Sequence, residues 1–109
     1  MGNGDRLVHD ELFREHVVEF CRLLAEIVPG DINTFFFTLS GAEANENAIK
    51  AVRLYTGRHK ILARYRSYHG ATNACMQLTG DPRRLANEPG MPGVIHVMDP
   101  TPYDYSFGE

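Results

Sequence analysis

The chain has 109 residues, 43% of them hydrophobic and 23% charged, a balance that excludes disordered and fibrous classes and fits a soluble globular sequence. One domain is the most this length supports, and it buries a smaller fraction of its surface than a large enzyme domain does. The formal net charge of -3 argues against a phosphate-backbone binder, so no nucleic-acid partner is expected.

Other classes fall away on local grounds. No apolar run approaches the ~20 residues of a membrane span, and the polar start Met1 to Asp5 has no signal-peptide core, so a cytoplasmic protein without a membrane partner is expected. Cys21 and Cys75 lie far apart with no CxxC arrangement and read as buried free thiols. His9, His16, His59, His69 and His96 show no ligand spacing, so no metal site is expected; His96, inside an apolar strand, reads as a satisfied core or edge residue.

In chain order, Phe13, Val17, Phe20, Leu24 and Ile27 recur at alternating spacings of four and three, the pattern of one buried helical face over about Leu7 to Val28, with Pro29-Gly30 as its stop. Thr34 to Leu39, rich in threonine and phenylalanine, predicts a strand buried on both faces. Ser40 and Glu43 form an S-x-x-E capping box, which starts a helix at Gly41 to Glu43. Its inward face is expected at Ala44, Ala48, Val52 and Tyr55, and Gly57 ends it.

Lys60 to Arg66 reads as a second strand with a charged entry, completing a strand, helix, strand unit with a right-handed crossover and, where the strands adjoin, parallel pairing. After a turn at Ser67 to Gly70, Ala71 to Thr79 predicts a short helix ended by Gly80-Asp81-Pro82. Asp81 to Gly93 carries too many breakers for regular structure, Val94 to Met98 returns as a third apolar strand, and Asp99 to Glu109 has no periodicity. The fold class is α/β, a parallel-type sheet with flanking helices: a lead-in helix over 1–30 and a strand-helix-strand core over 31–98.

Two segments carry the chemistry. In Phe37 to Glu46 a small-residue turn runs straight into a helix start, where the amides of Gly41, Ala42 and Glu43 have no intrahelical partner and the helix dipole favours an anion. Gly41 lets a phosphate approach the backbone. A capped helix after a strand is common in itself, and acids in a first turn ordinarily complement the dipole, so Glu43 and Glu46 are not read as a catalytic pair. No G-x-G-x-x-G and no Walker loop is present. The second segment, Arg66 to Thr72, offers the aromatic face of Tyr68 and the imidazole of His69 at the carboxyl edge of the sheet, where ligands of open parallel sheets collect. Taken singly, such residues are ordinary in turns.

Ser40-Gly-Ala-Glu-Ala-Asn-Glu-Asn-Ala-Ile-Lys50, then Tyr55-Thr-Gly-Arg58, then Ser67-Tyr-His-Gly-Ala-Thr72 resemble, in order and spacing, the early cofactor-domain motifs of class III aminotransferases. The resemblance implies part of the large domain of fold-type-I pyridoxal-phosphate enzymes, with Ser40, Gly41 and Ala42 at the cofactor phosphate, Tyr68 stacked on its ring and His69 beside it. Serine or threonine is frequent in the family where this chain has Ala42, whose methyl removes a hydroxyl contact worth roughly 1 kcal/mol.

The resemblance also implies a transaminase that moves an amino group from an amino acid or omega-amino acid to a 2-oxo acid such as pyruvate, in a parent enzyme that is a homodimer. It places the Schiff-base lysine downstream, so no catalytic residue is expected in this chain and neither Lys50 nor Lys60 takes that role. The 109 residues then read as an inactive fragment of the cofactor-binding domain. A non-catalytic phosphate-binding or interaction module on the same scaffold, or another pyridoxal-phosphate reaction such as that of an aminomutase or decarboxylase, remains the alternative.

Overall fold

The computed structural model describes residues 3–101 and residue 103, with side chains described from residue 11 onward. They divide into two compact units, one ending at Phe37 and the other beginning at Thr38. The first is built on α1 (Asn3–Ile27), which stops at Pro29-Gly30, where Gly30 takes the left-handed φ of 73°. Arg22 pairs across successive turns with Glu19, at 2.8 Å, and with Glu26. The expected buried stripe is not buried: Phe13, Phe20 and Ile27 are exposed, and only Val17 and Leu24 are half-covered. The Phe20 ring lies 5.4 Å from that of Phe37.

Thr34 to Leu39 does not form the expected strand. Its residues are irregular, and Phe36, Phe37 and Leu39 are exposed. The β-prone composition is there, but among the described residues no strand pairs with it, and a strand without a ladder leaves its backbone groups to water.

The second unit holds α2 (Gly41–Thr56), β1 (Ile61–Arg64), α3 (Asn73–Leu78), a 3₁₀ helix (Pro82–Asn87) and β2 (Val94–Val97). The sheet pairs β1 with β2 in parallel, Ile61 opposite Val94 through Arg64 opposite Val97. The parallel pair is thus made by the second and third predicted strands, with α3 and the 3₁₀ helix between them in sequence. Asp81 and Pro82 explain the 3₁₀ turn where no regular structure is expected: Asp81 Oδ1 accepts from Arg83 N at 2.9 Å, and Pro82 stands where a helix start needs no amide donor.

Ile49, Ala63, Ala74 and Leu78 form the core of this unit, with Ile61, Met91 and Val94 packed against it. The helix face that reaches this core is not the one apolar periodicity selects. Ala44, Ala48, Val52 and Tyr55 are exposed, and α2 turns Asn45, Glu46, Ile49 and Arg53 inward instead. Three of these four are polar, and each satisfies backbone groups of neighbouring segments. Arg53, for instance, donates to His59 O at 2.9 Å and to Pro92 O at 3.0 Å, fixing the approaches to both strands.

Gly80 is required by space. A Cβ there would stand 2.1 Å from Arg64 O and 2.3 Å from Tyr65 O, so α3 can return against the end of β1 only at a glycine. His96 is satisfied as expected: Arg84, which can only donate, lies 3.1 Å from Nδ1, so Nε2 carries the proton and donates to Leu78 O at 3.3 Å. Cys75 is fully buried and Cys21 half-buried, both as free thiols. Among the described residues no helix is long and apolar enough to cross a membrane, and no group of side chains has the arrangement of a metal site.

The inward face of α2 can be checked by unfolding. Ile49→Ala is expected to cost about 2–4 kcal/mol in urea titrations, while Val52→Ala, on the face that periodicity favours, is expected to cost less than about 1 kcal/mol.

Candidate functional site at the start of helix α2

The start of α2 is built by Ser40. Its extended backbone (φ -155°, ψ 160°) turns the chain, and its Oγ accepts from Glu43 N at 3.1 Å. Glu43 reaches back as a capping box requires, but one residue further than expected: its carboxylate accepts from Leu39 N at 2.9 Å rather than from the Ser40 amide. The Glu43 amide is therefore already used, and Ala44 N donates to Ser40 O at 3.0 Å. The amides of Gly41 and Ala42 remain without a partner among the described residues, two aligned donors at the positive end of a helix dipole. A Cβ on Gly41 would meet nothing within 4 Å, so its side-chain position is open space.

The Tyr68-His69 turn leaves the carboxyl end of β1 and meets this helix start directly. Gly70 has φ of 126°, and a Cβ built on it would lie 2.7 Å from the Ala42 Cβ and 3.2 Å from that of Cys75. Only a glycine fits on both counts, the backbone conformation and the close approach. From α3, the Cys75 thiol donates to Ala42 O at 3.3 Å. The structure thus brings Ala42 and the turn carrying Tyr68 and His69 together, with Ser40 and Gly41 preceding Ala42 on the same helix start.

Tyr68 is half-exposed, and one face of its ring is taken. The Arg83 guanidinium sits 4.3 Å from the ring centroid, a cation–π contact on a residue that stays 53% exposed. Asp81 holds Arg83 in place by accepting from Arg83 Nε at 2.9 Å and from its Nη2. The same hydrogen bonding keeps the Asp81 carboxyl below the ordinary aspartate range.

Several residues that build the site are not evident from the motif alone. Asn45 Nδ2 donates to His69 O at 3.1 Å, and Glu46 Oε1 accepts from Ala74 N at 3.1 Å, capping α3 in place of Thr72, whose own side chain makes no cap bond. Both lie inside the quoted Ser40 to Lys50 segment, where Glu46 reads as an acid complementing the helix dipole and Asn45 carries no signal of its own. Lys50 and Lys60 are exposed.

Residues 4–108 match the family description of the class-III aminotransferases. The chain is 40% identical over 105 residues to alanine--glyoxylate aminotransferase 2 homolog 2, mitochondrial, of Arabidopsis thaliana, covering 94% of this chain and 22% of that protein. It is 36% identical over 112 residues to isoleucine 2-epimerase of Lentilactobacillus buchneri, covering 97% of this chain and 25% of that protein. The taurine:2-oxoglutarate aminotransferase from Bifidobacterium kashiwanohense, solved in complex with PLP and glutamate, superposes with a TM-score of 0.71 at 43% identity over 80% of this chain and 20% of that one. With a family match of this extent, the chain belongs to the class-III aminotransferases and has the α/β fold of PLP-dependent transaminases. It spans about a quarter of the length of the curated relatives it matches.

The arrangement around Arg83 predicts a titration. Asp81 should titrate below an ordinary aspartate by NMR, and Arg83→Ala should raise it toward the normal value. Because the folded-state pKa is depressed, the Asp81–Arg83 contribution is present above the unfolded pKa and is lost as pH falls through the folded one.

Proposed function

We propose that this chain supplies the phosphate and ring-face recognition of a pyridoxal-phosphate-dependent transaminase. The single observation that carries the reading is the pair of unpartnered amides at Gly41 and Ala42, packed against the glycine turn that presents Tyr68 and His69. These residues fit the group. Two helix-end donors and the Ser40 hydroxyl, which retains its own proton after accepting from Glu43 N, suit a phosphate, and the exposed aromatic side chain of Tyr68 suits a pyridine ring. His69, the next residue of the turn, would stand beside that ring. When bound, pyridoxal phosphate supplies an electron sink for the negative charge left on the amino acid's α-carbon.

The whole protein is proposed to transfer an amino group from an amino acid or omega-amino acid to a 2-oxo acid such as pyruvate. We place the lysine that holds the cofactor covalently in the part of the protein corresponding to the remaining length of its relatives, and assign that role to neither Lys50 nor Lys60. The 109 residues alone are then inactive. The organisation into a lead-in over 1–30 and a core over 31–98 of one partial domain, a homodimeric parent and a cytoplasmic location belong to the same proposal and rest on the family resemblance. The relative that is an isoleucine 2-epimerase, at 36% identity, favours a second reading in which the same cradle serves another reaction of the cofactor.

Titration of the full chain with pyridoxal phosphate tests this. Saturable binding that Gly41→Asp weakens at least about tenfold is expected, since a carboxylate there would oppose the phosphate. Borohydride treatment followed by mass analysis should leave no stoichiometric adduct on Lys50 or Lys60. Absence of binding, or binding indifferent to Gly41→Asp, overturns the reading, and a stoichiometric adduct at either lysine overturns the assignment of the covalent lysine.

A further inference from the structure

The backbone of His69 is held at both its N–H and its carbonyl by side chains of two different segments. Its N–H donates to Thr79 Oγ1 at 3.1 Å, and its carbonyl accepts from Asn45 Nδ2 at 3.1 Å. Thr79 is fully buried, and its hydroxyl proton is committed to Cys75 O at 2.9 Å, which leaves an oxygen lone pair for the His69 amide. One residue on, Gly80 N donates to Ser67 O at 2.9 Å. The turn that carries Tyr68 is therefore fastened at residues 67 and 69 and packed at 70, so Tyr68 lies between two fixed points.

The donors of Gly41 and Ala42 belong to α2, whereas Tyr68 belongs to the connection from β1 to α3. A rigid ligand carrying both an anion and an aromatic ring gains from both elements only if their separation is fixed. Asn45 lies on α2 itself, so its bond to His69 O ties the ring-bearing turn to the helix that carries the amides. Thr79 holds the amide of the same residue.

We propose that Asn45 and Thr79 are positioning residues of this site, setting the distance and angle between the Tyr68 ring and the anion-binding amides for a phosphorylated aromatic ligand. The inference rests on the cofactor reading above and adds two residues that touch neither phosphate nor ring.

The test compares the full chain with Thr79→Val, Thr79→Ser, Asn45→Ala and Gly41→Asp. Each is titrated with pyridoxal phosphate, followed by absorbance and by the circular dichroism induced in the ligand band, and with inorganic phosphate as competitor. Thr79→Val and Asn45→Ala are expected to weaken pyridoxal phosphate about tenfold, the loss of one neutral hydrogen bond, and to diminish the induced signal. Inorganic phosphate, which needs only the amides, should compete within about twofold of its original strength. Thr79→Ser, which keeps the hydroxyl, should behave like the unsubstituted chain.

Equal losses for both ligands would mean a general structural role and overturn the proposal, as would unchanged pyridoxal phosphate binding in Thr79→Val and Asn45→Ala or a Thr79→Ser as weak as Thr79→Val. If Gly41→Asp weakens binding while Thr79→Val and Asn45→Ala do not, the positioning inference alone fails. If the unsubstituted chain does not bind, the cofactor reading fails and takes this one with it.

Discussion

How closely the Gly70 backbone meets Ala42 governs the rest of the site. A Cβ at residue 70 would sit 2.7 Å from the Ala42 side chain, closer than carbon atoms tolerate, so any other residue would push the turn off the helix. That contact has a counterpart on the other side, because residue 42 must itself be small. In this light the alanine at 42 has a role apart from the hydroxyl it lacks, since its methyl is the surface on which the turn rests.

Local signals in the sequence were the readable ones. The cap at Ser40, the end of α2 at Gly57 with its φ of 66°, the stop at Pro29-Gly30 and the positions of β1 and β2 follow from residue types whose preferences are settled within a few positions. The inner face of α2 was not readable that way. Apolar periodicity points to Ala44, Ala48, Val52 and Tyr55, but the helix docks where backbone groups of residues 59, 69, 74 and 92 need partners, and Arg53, Asn45 and Glu46 supply them. Hydrogen-bond demand in neighbouring loops is a tertiary property, and a pattern of hydrophobicity does not encode it.

The site divides the same way. Ser40, Gly41, Tyr68 and His69 are visible in short motifs, because their backbone conformations and small or aromatic side chains mark a turn and a helix start. Thr79 reads as the tail of a short helix, and only the folded chain shows that its hydroxyl is buried against His69. Thr34 to Leu39 is the opposite case: a composition suited to a strand without a neighbouring strand to pair with among the described residues.

Docking a helix through polar side chains also changes its mechanics. An oily interface resists separation but allows sliding and rolling, since dispersion contacts are nondirectional and one methyl can replace another. Asn45, Glu46 and Arg53 instead act as pins at three points along α2, the first two each aimed at one backbone atom and Arg53 at two. Displacing the helix along its axis strains all of these bonds together, because each has a fixed partner in a neighbouring segment. The result is a joint with almost no travel along its axis, and the free amides at Gly41 and Ala42 inherit that stiffness.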